Sequence, residues 1–277
     1  MKQKVILETS FAFSRTFNSR NIEYHWYALW DQTLSDLIAD VPNLIVAPQF
    51  PVWFVPMHDD HEDEEDGDDP EEIVRLPEEH DAPGNESDDE DVGCGAGDVS
   101  FASTVPEKDT RQVIVDFAIL HLMAVAQPQQ MFRYGGWRIT EVNIGLLVEL
   151  KRFTSRSLKG EEQEQGIIWQ ISEARSDLML QAGHVFTQDP DKQYVFAIAA
   201  SGPYWCGTTI QRTEVLGTMH NLAHKDASFL PPEKRPKDIR PKWNKVVRID
   251  HPSSIKRLQT IYNDLKGMGG LGTPVDV

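Results

Sequence analysis

Apolar residues recur at helical spacing near the start of the chain. Over residues 21–41, Tyr27, Trp30, Leu34, Leu37, Ile38 and Val41 share one stripe and Pro42 ends the run, which predicts an amphipathic helix. Leu44-Ile-Val-Ala and Val52-Trp-Phe-Val follow as short apolar runs broken by Pro48 and Pro51, the pattern of one strand or a bent pair. Enrichment in Val, Ile and Leu predicts further strands over 112–120 and 145–152, with Gln127-Pro-Gln-Gln and Tyr134-Gly-Gly between them as a long hairpin loop. A second helix is predicted over about 160–186, where Ile167, Ile168, Ile171, Ala174, Leu178, Ala182 and Val185 form a stripe. Residues 193–200 read as a buried strand, and a short terminal helix runs from an N-cap at Ser253 or Ser254 to Gly267.

This order predicts an α/β fold with a central mixed β-sheet flanked by helices. Residues 1–57 supply the first helix and strand, 58–98 an insertion, 99–230 the rest of the core, and 231–277 a basic segment with the terminal helix. No stretch approaches the roughly 20 apolar residues of a spanning helix, and the first residues lack the apolar core of a secretory signal. An intracellular protein, cytoplasmic or nuclear and without membrane attachment, is the expectation. Cys94 and Cys206 form no CxxC pair, so neither a disulfide framework nor a zinc site is expected.

Charge changes the picture only once it is divided along the chain. The net charge is -17, which argues against a polyanionic partner. Between Asp59 and Asp91, however, 19 acidic residues stand against Arg75 alone, leaving 25 acidic and 26 basic residues elsewhere. Such a run cannot bury enough apolar surface to order itself and reads as a solvated insertion. The folded remainder is near neutral, and a nucleic-acid substrate is compatible with it.

Two charged positions stand out inside the apolar runs. Asp116 interrupts a Val/Ile strand, and Glu149-Leu-Lys151 ends a Leu/Val strand, although glutamate, lysine and aspartate are depleted in strands. Alternation puts Glu149 and Lys151 on one face. If the strands are neighbours, Asp116 and Glu149 provide the hard oxygen ligands that Mg²⁺ or Mn²⁺ requires, and Lys151 can orient water and stabilise phosphate charge. The same residues also suit a solvent-facing strand with a structural ion pair.

The Asp116 strand, the Glu149-x-Lys151 strand and the element order around them resemble the PD-(D/E)XK, or restriction-endonuclease-like, nuclease superfamily. In that superfamily the aspartate sits on the second core strand and E-x-K on the third, with a helix and another strand following. The resemblance spans roughly residues 21–200 without the insertion; Val115 stands where the motif has proline, and 33 residues separate Asp116 from Glu149. It implies a restriction-endonuclease-like core, Asp116 and Glu149 as metal ligands, and Lys151 as catalytic lysine. It also implies an accessory metal-site role for Glu23 on the first helix and a site glutamine on the second. Gln170 and Gln181 are both candidates, because 11 residues bring them within about 20° around a helix axis.

Other features are weaker. His220 and His224 have zinc-compatible spacing, but Asn221 replaces the glutamate of HExxH and no third ligand is evident. Tyr204-Trp205 suits packing at a strand end or base stacking. Lys234, Arg235, Lys237, Arg240 and Lys242 make the C-terminal segment a candidate phosphate-binding surface. The alternative to a nuclease is an inactive binding or regulatory module whose Asp59–Asp91 stretch engages a basic protein.

Overall fold

Leu146, Leu147, Val148 and Leu150 are fully buried, so the strand that carries them is covered on both faces and lies at the centre of a sheet. In the computed structural model, residues 3–54, 111–126, 137–224 and 230–267 are described. The insertion predicted at 58–98, with Asp59–Asp91 and Cys94, and the Gln127–Gly136 stretch lie outside them.

The elements run α1 (Gln3–Phe13), a 3-10 turn (Glu23–Trp26), α2 (Tyr27–Ile38), β1 (Leu44–Phe54), β2 (Arg111–Ala126) and β3 (Trp137–Lys151). There follow α3 (Gly160–Gln188), β4 (Tyr194–Ser201), β5 (Tyr204–Gln211), α4 (Leu216–Ala223), β6 (Val247–Arg248) and α5 (Pro252–Gly267). The strands form a six-stranded sheet in sequence order. β1–β2, β2–β3, β4–β5 and β5–β6 are antiparallel and β3–β4 is parallel. A parallel pair needs a long crossover, and α3 supplies it. The architecture is α/β with a mixed sheet flanked by helices.

Several local details depart from the periodicity. The predicted first helix opens as a 3-10 turn and stops at Ile38 rather than reaching Pro42. α1 precedes it, with only Val5 and Ala12 buried, too narrow a stripe to announce itself. The broken runs before the insertion make one strand, β1, which pairs with β2 down to Phe54 opposite Arg111. β2 and β3 extend well past their predicted ends, Leu120–Ala126 pairing with Trp137–Ile144, and this accounts for the long spacing between Asp116 and Glu149.

Tyr204-Trp205 opens a separate strand, β5, reached from β4 through the two-residue turn Gly202-Pro203. The C-terminal segment is not free of the core: Asn244 N–H donates to Gly207 O (3.0 Å), Ile239 N–H to Glu214 O (2.8 Å) and Ile249 N–H to Pro203 O (2.8 Å). Arg175 also covers the Trp243 ring at 5.2 Å.

Buried tryptophans tie these pieces together. Trp30 Nε1–H donates to Gly202 O (2.9 Å) and Trp205 Nε1–H to Ser254 Oγ (2.8 Å), with the two rings edge to face at 6.4 Å. Each of these two buried indoles thus keeps a partner for its N–H. Gly202 also donates its N–H to Lys151 O (3.1 Å), so the turn braces the end of β3. Its φ is +55°, and an added Cβ would lie 2.9 Å from Phe153 Cβ. Gly202→Ala is therefore expected to cost about 2 kcal/mol, read as a lowered urea midpoint at unchanged m-value; an unchanged midpoint would refute the strain argument.

Candidate active site

The β2–β3 ladder ends at Phe117 opposite Val148. Beyond that point β2 stays with β1 as far as Arg111, while β3 stays with β4 as far as Lys151. β2 and β3 part, and Asp116 lies in the opening. Its Oδ2 accepts the Leu150 N–H (2.7 Å), satisfying a buried donor that has lost its strand partner. Its Oδ1 accepts the Tyr27 hydroxyl, which locks the carboxylate to the first turn of α2.

Glu149 is likewise buried, at 7% exposure against 8% for Asp116. Its Oε1 accepts from Lys151 Nζ (2.6 Å) and its Oε2 from Gln181 Nε2 (2.7 Å). Lys151 pairs at the same time with Asp177 on α3 (2.5 Å). Asp177 lies one turn before Gln181, so a single face of α3 holds both ends of the Glu149–Lys151 pair.

The carboxyls share an unfavourable environment. Burial, then the neighbouring Asp116 charge, pushes the Glu149 carboxyl up to about 7 against the hydrogen bonds from Lys151 and Gln181. Asp116 is raised mainly by burial, and Glu23 by burial and by Asp116. Burial opposes the Lys151 charge, yet Asp177 and Glu149 outweigh it and hold the ammonium above its ordinary range. Desolvation and the hydrogen bond to Asp116 keep the Tyr27 phenol protonated. A buried carboxylate whose charge raises the pKa of its neighbours marks a site that gains from an added cation.

No family model, curated protein or solved structure matches this chain. Its chemistry has to be read from its own groups.

The donor chemistry fits a hard divalent cation. Mg²⁺ keeps several waters and takes one or two carboxylates, which is what Asp116 and Glu149 offer. Among the described residues no group of three or more His, Cys, Asp and Glu side chains is arranged to hold a metal. Glu23, the third carboxylate expected at the site, is not brought into such a group. Its Oε2 accepts the Arg152 N–H (3.1 Å), and the Asp116 charge adds to burial in raising its carboxyl.

The other expected residues separate cleanly. Gln181 is in the site, whereas Gln170 lines a different cleft with Arg152 and Arg156. The His220 and His224 rings lie 4.3 Å apart, tilted by 42°, and His224 Nδ1 contacts His220 O (2.9 Å) at the end of α4. Lys234, Arg235, Lys237, Arg240 and Lys242 belong to the segment along β5 and α4, elements that give no hydrogen bond to the carboxylate pair. Tyr27 and Asp177 are site residues that the sequence did not single out as such.

Gln181 supports the ionised form of Glu149, so its removal has a signed consequence. In Gln181→Ala the Glu149 carboxyl loses a donor, and its titration midpoint is expected to rise by about one pH unit. Carboxyl-carbon NMR of the metal-free protein reads this directly. A midpoint that stays in place or falls would exclude the supporting role.

Proposed function

We propose that this chain is a metal-dependent nuclease with a restriction-endonuclease-like core, hydrolysing phosphodiester bonds of DNA or RNA with Mg²⁺ or Mn²⁺. One observation carries the reading: Asp116 and Glu149 lie where β2 and β3 part, with Lys151 bonded to Glu149. The order of elements supports it. A helix, three antiparallel strands, a helix and a fourth strand follow one another, with the aspartate on the second strand and E-x-K on the third.

A divalent cation supplies Lewis acidity and positive charge at the phosphoryl group. Asp116 and Glu149 would hold it, each carboxylate fixed by hydrogen bonds to both oxygens. Tyr27 and the Leu150 amide set the Asp116 carboxylate, and Gln181 and Lys151 set that of Glu149. Lys151, kept protonated by Glu149 and Asp177, orients the attacking water and stabilises the charge that develops on the phosphate.

The test is cleavage of single- and double-stranded DNA and RNA by the purified full chain with Mg²⁺, Mn²⁺ or chelator. Products that require metal and are lost in Lys151→Ala support the reading. Equal cleavage by wild type and variant, or no cleavage of any substrate, refutes it. The competing binding module gives no cleavage, together with capture of a histone-like protein that disappears when residues 59–91 are deleted.

A further inference from the structure

A cleft of about 720 Å³ opens just past the end of β3, lined by Arg15, Arg20, Arg152 and Arg156 and by the hydroxyls of Ser155 and Ser157. Among the described residues no aspartate or glutamate lines it. Among the described residues none of the four arginines is in an ion pair. Four guanidinium groups around one concavity repel one another, and an anion relieves that repulsion. The planar fork of arginine matches phosphate oxygens, which makes a phosphate the best-suited anion.

The cleft is built rather than incidental. Its walls are the α1-to-turn connection, residues 14–22, and the β3–α3 connection, residues 152–159. Two side chains lace them together. Asn21 Nδ2 donates to Phe153 O (2.7 Å) and Thr154 O (3.2 Å), while Arg156 donates to Phe13 O (3.0 Å) and Asn18 O. Asn21 adopts φ +52° to do so, a conformation asparagine tolerates better than most residues. Both walls are thus fixed before any ligand arrives, which lowers the ordering cost of binding.

Position supplies the last step. Arg152 directly follows Lys151, and its N–H holds Glu23. We infer that this arginine cleft binds a phosphate of the substrate strand adjacent to the scissile one, rather than serving as a general surface charge. The ligand assignment rests on the nuclease reading, whereas anion binding by the cleft does not.

The experiment is fluorescence anisotropy of a labelled oligonucleotide with the full chain in chelator, where no cleavage intervenes, across a salt series. Arg15→Ala/Arg20→Ala removes two exposed side chains that make no hydrogen bond among the described residues, so folding is preserved and checked by thermal melting. Affinity is expected to fall about tenfold, and the slope of log K against log salt by about 1 to 2. Lys237→Ala/Arg240→Ala tests the C-terminal segment as the competing phosphate site, and Lys256→Ala, exposed on α5 and outside both, is expected to bind like wild type.

A loss seen equally with 5′-hydroxyl and 5′-phosphorylated strands supports a backbone phosphate in the cleft. A loss confined to the phosphorylated strand supports a terminal one. Unchanged affinity and slope, or a loss only in the C-terminal variant, overturns the inference. Wild-type cleavage with metal is scored separately: binding lost in the arginine variant without any wild-type cleavage would keep the cleft and remove the nuclease.

Discussion

Asp116→Asn is expected to lower metal-dependent cleavage by about a thousandfold while leaving the fold intact. The two oxygens of Asp116 do different work. Oδ2 accepts the Leu150 amide and Oδ1 the Tyr27 hydroxyl. An asparagine keeps the first bond through its carbonyl oxygen and the second by donating to the phenol, which accepts as readily as it donates. What it removes is negative charge at the point where β2 and β3 part. The rate loss should therefore be accompanied by loss of the heat of Mn²⁺ binding in titration calorimetry. Lys151→Ala should lose rate with less effect on that heat, because the ammonium repels a cation. An Asp116→Asn protein that cleaves at more than about a tenth of the wild-type rate would end the metal-ligand assignment.

The second large effect is on stability, and its sign is opposite. A Glu149 carboxyl raised from 4.5 to about 7 means that the folded chain binds this proton more tightly than the unfolded chain. Stability from that proton is fully present below about pH 4.5 and is lost as pH rises through about 7. A rise of this size is worth at most about 3 kcal/mol. Glu149→Gln removes the buried charge but leaves one donor, from Lys151 or Gln181, without an acceptor, which returns about 1 kcal/mol. The variant is expected to be about 1–2 kcal/mol more stable than wild type at about pH 8 without metal. That advantage should vanish towards about pH 4.5. Urea unfolding of both proteins at about pH 8, 6 and 4.5 measures the difference; an advantage that is absent or does not change with pH would contradict the buried-charge account. If the advantage appears as expected, the Glu149 carboxylate is a cost to the fold that function retains.

What could be read from sequence follows from what each residue does. Asp116, Glu149 and Lys151 were legible because a charge inside an apolar strand has few explanations. Tyr27 was visible only as part of an apolar stripe, and nothing in the pattern distinguishes a phenol that packs from one that donates to a carboxylate. The two glutamines teach a sharper lesson. Gln170 and Gln181 do share an angular position, but 11 residues of helix also separate them by about 16 Å along the axis. One site can hold only one of them, and α3 places Gln181 beside Glu149. The C-terminal segment was readable as charge but not as structure, since it joins the core through main-chain hydrogen bonds to Gly207, Glu214 and Pro203, which leave no apolar rhythm. β5 was announced only by Gly202-Pro203, the turn that separates it from β4.

Phe54 and Arg111 face each other across the β1–β2 ladder, so the chain leaves the sheet and returns to it at neighbouring points. The 56 residues between them join two neighbouring antiparallel strands. Closing a loop that long in place of a four-residue turn costs only about 2 kcal/mol, because the entropy grows with the logarithm of length. The register that positions Asp116 is thus set by the β1–β2 ladder itself, and it is expected to survive a change in the length or charge of the sequence between Phe54 and Arg111.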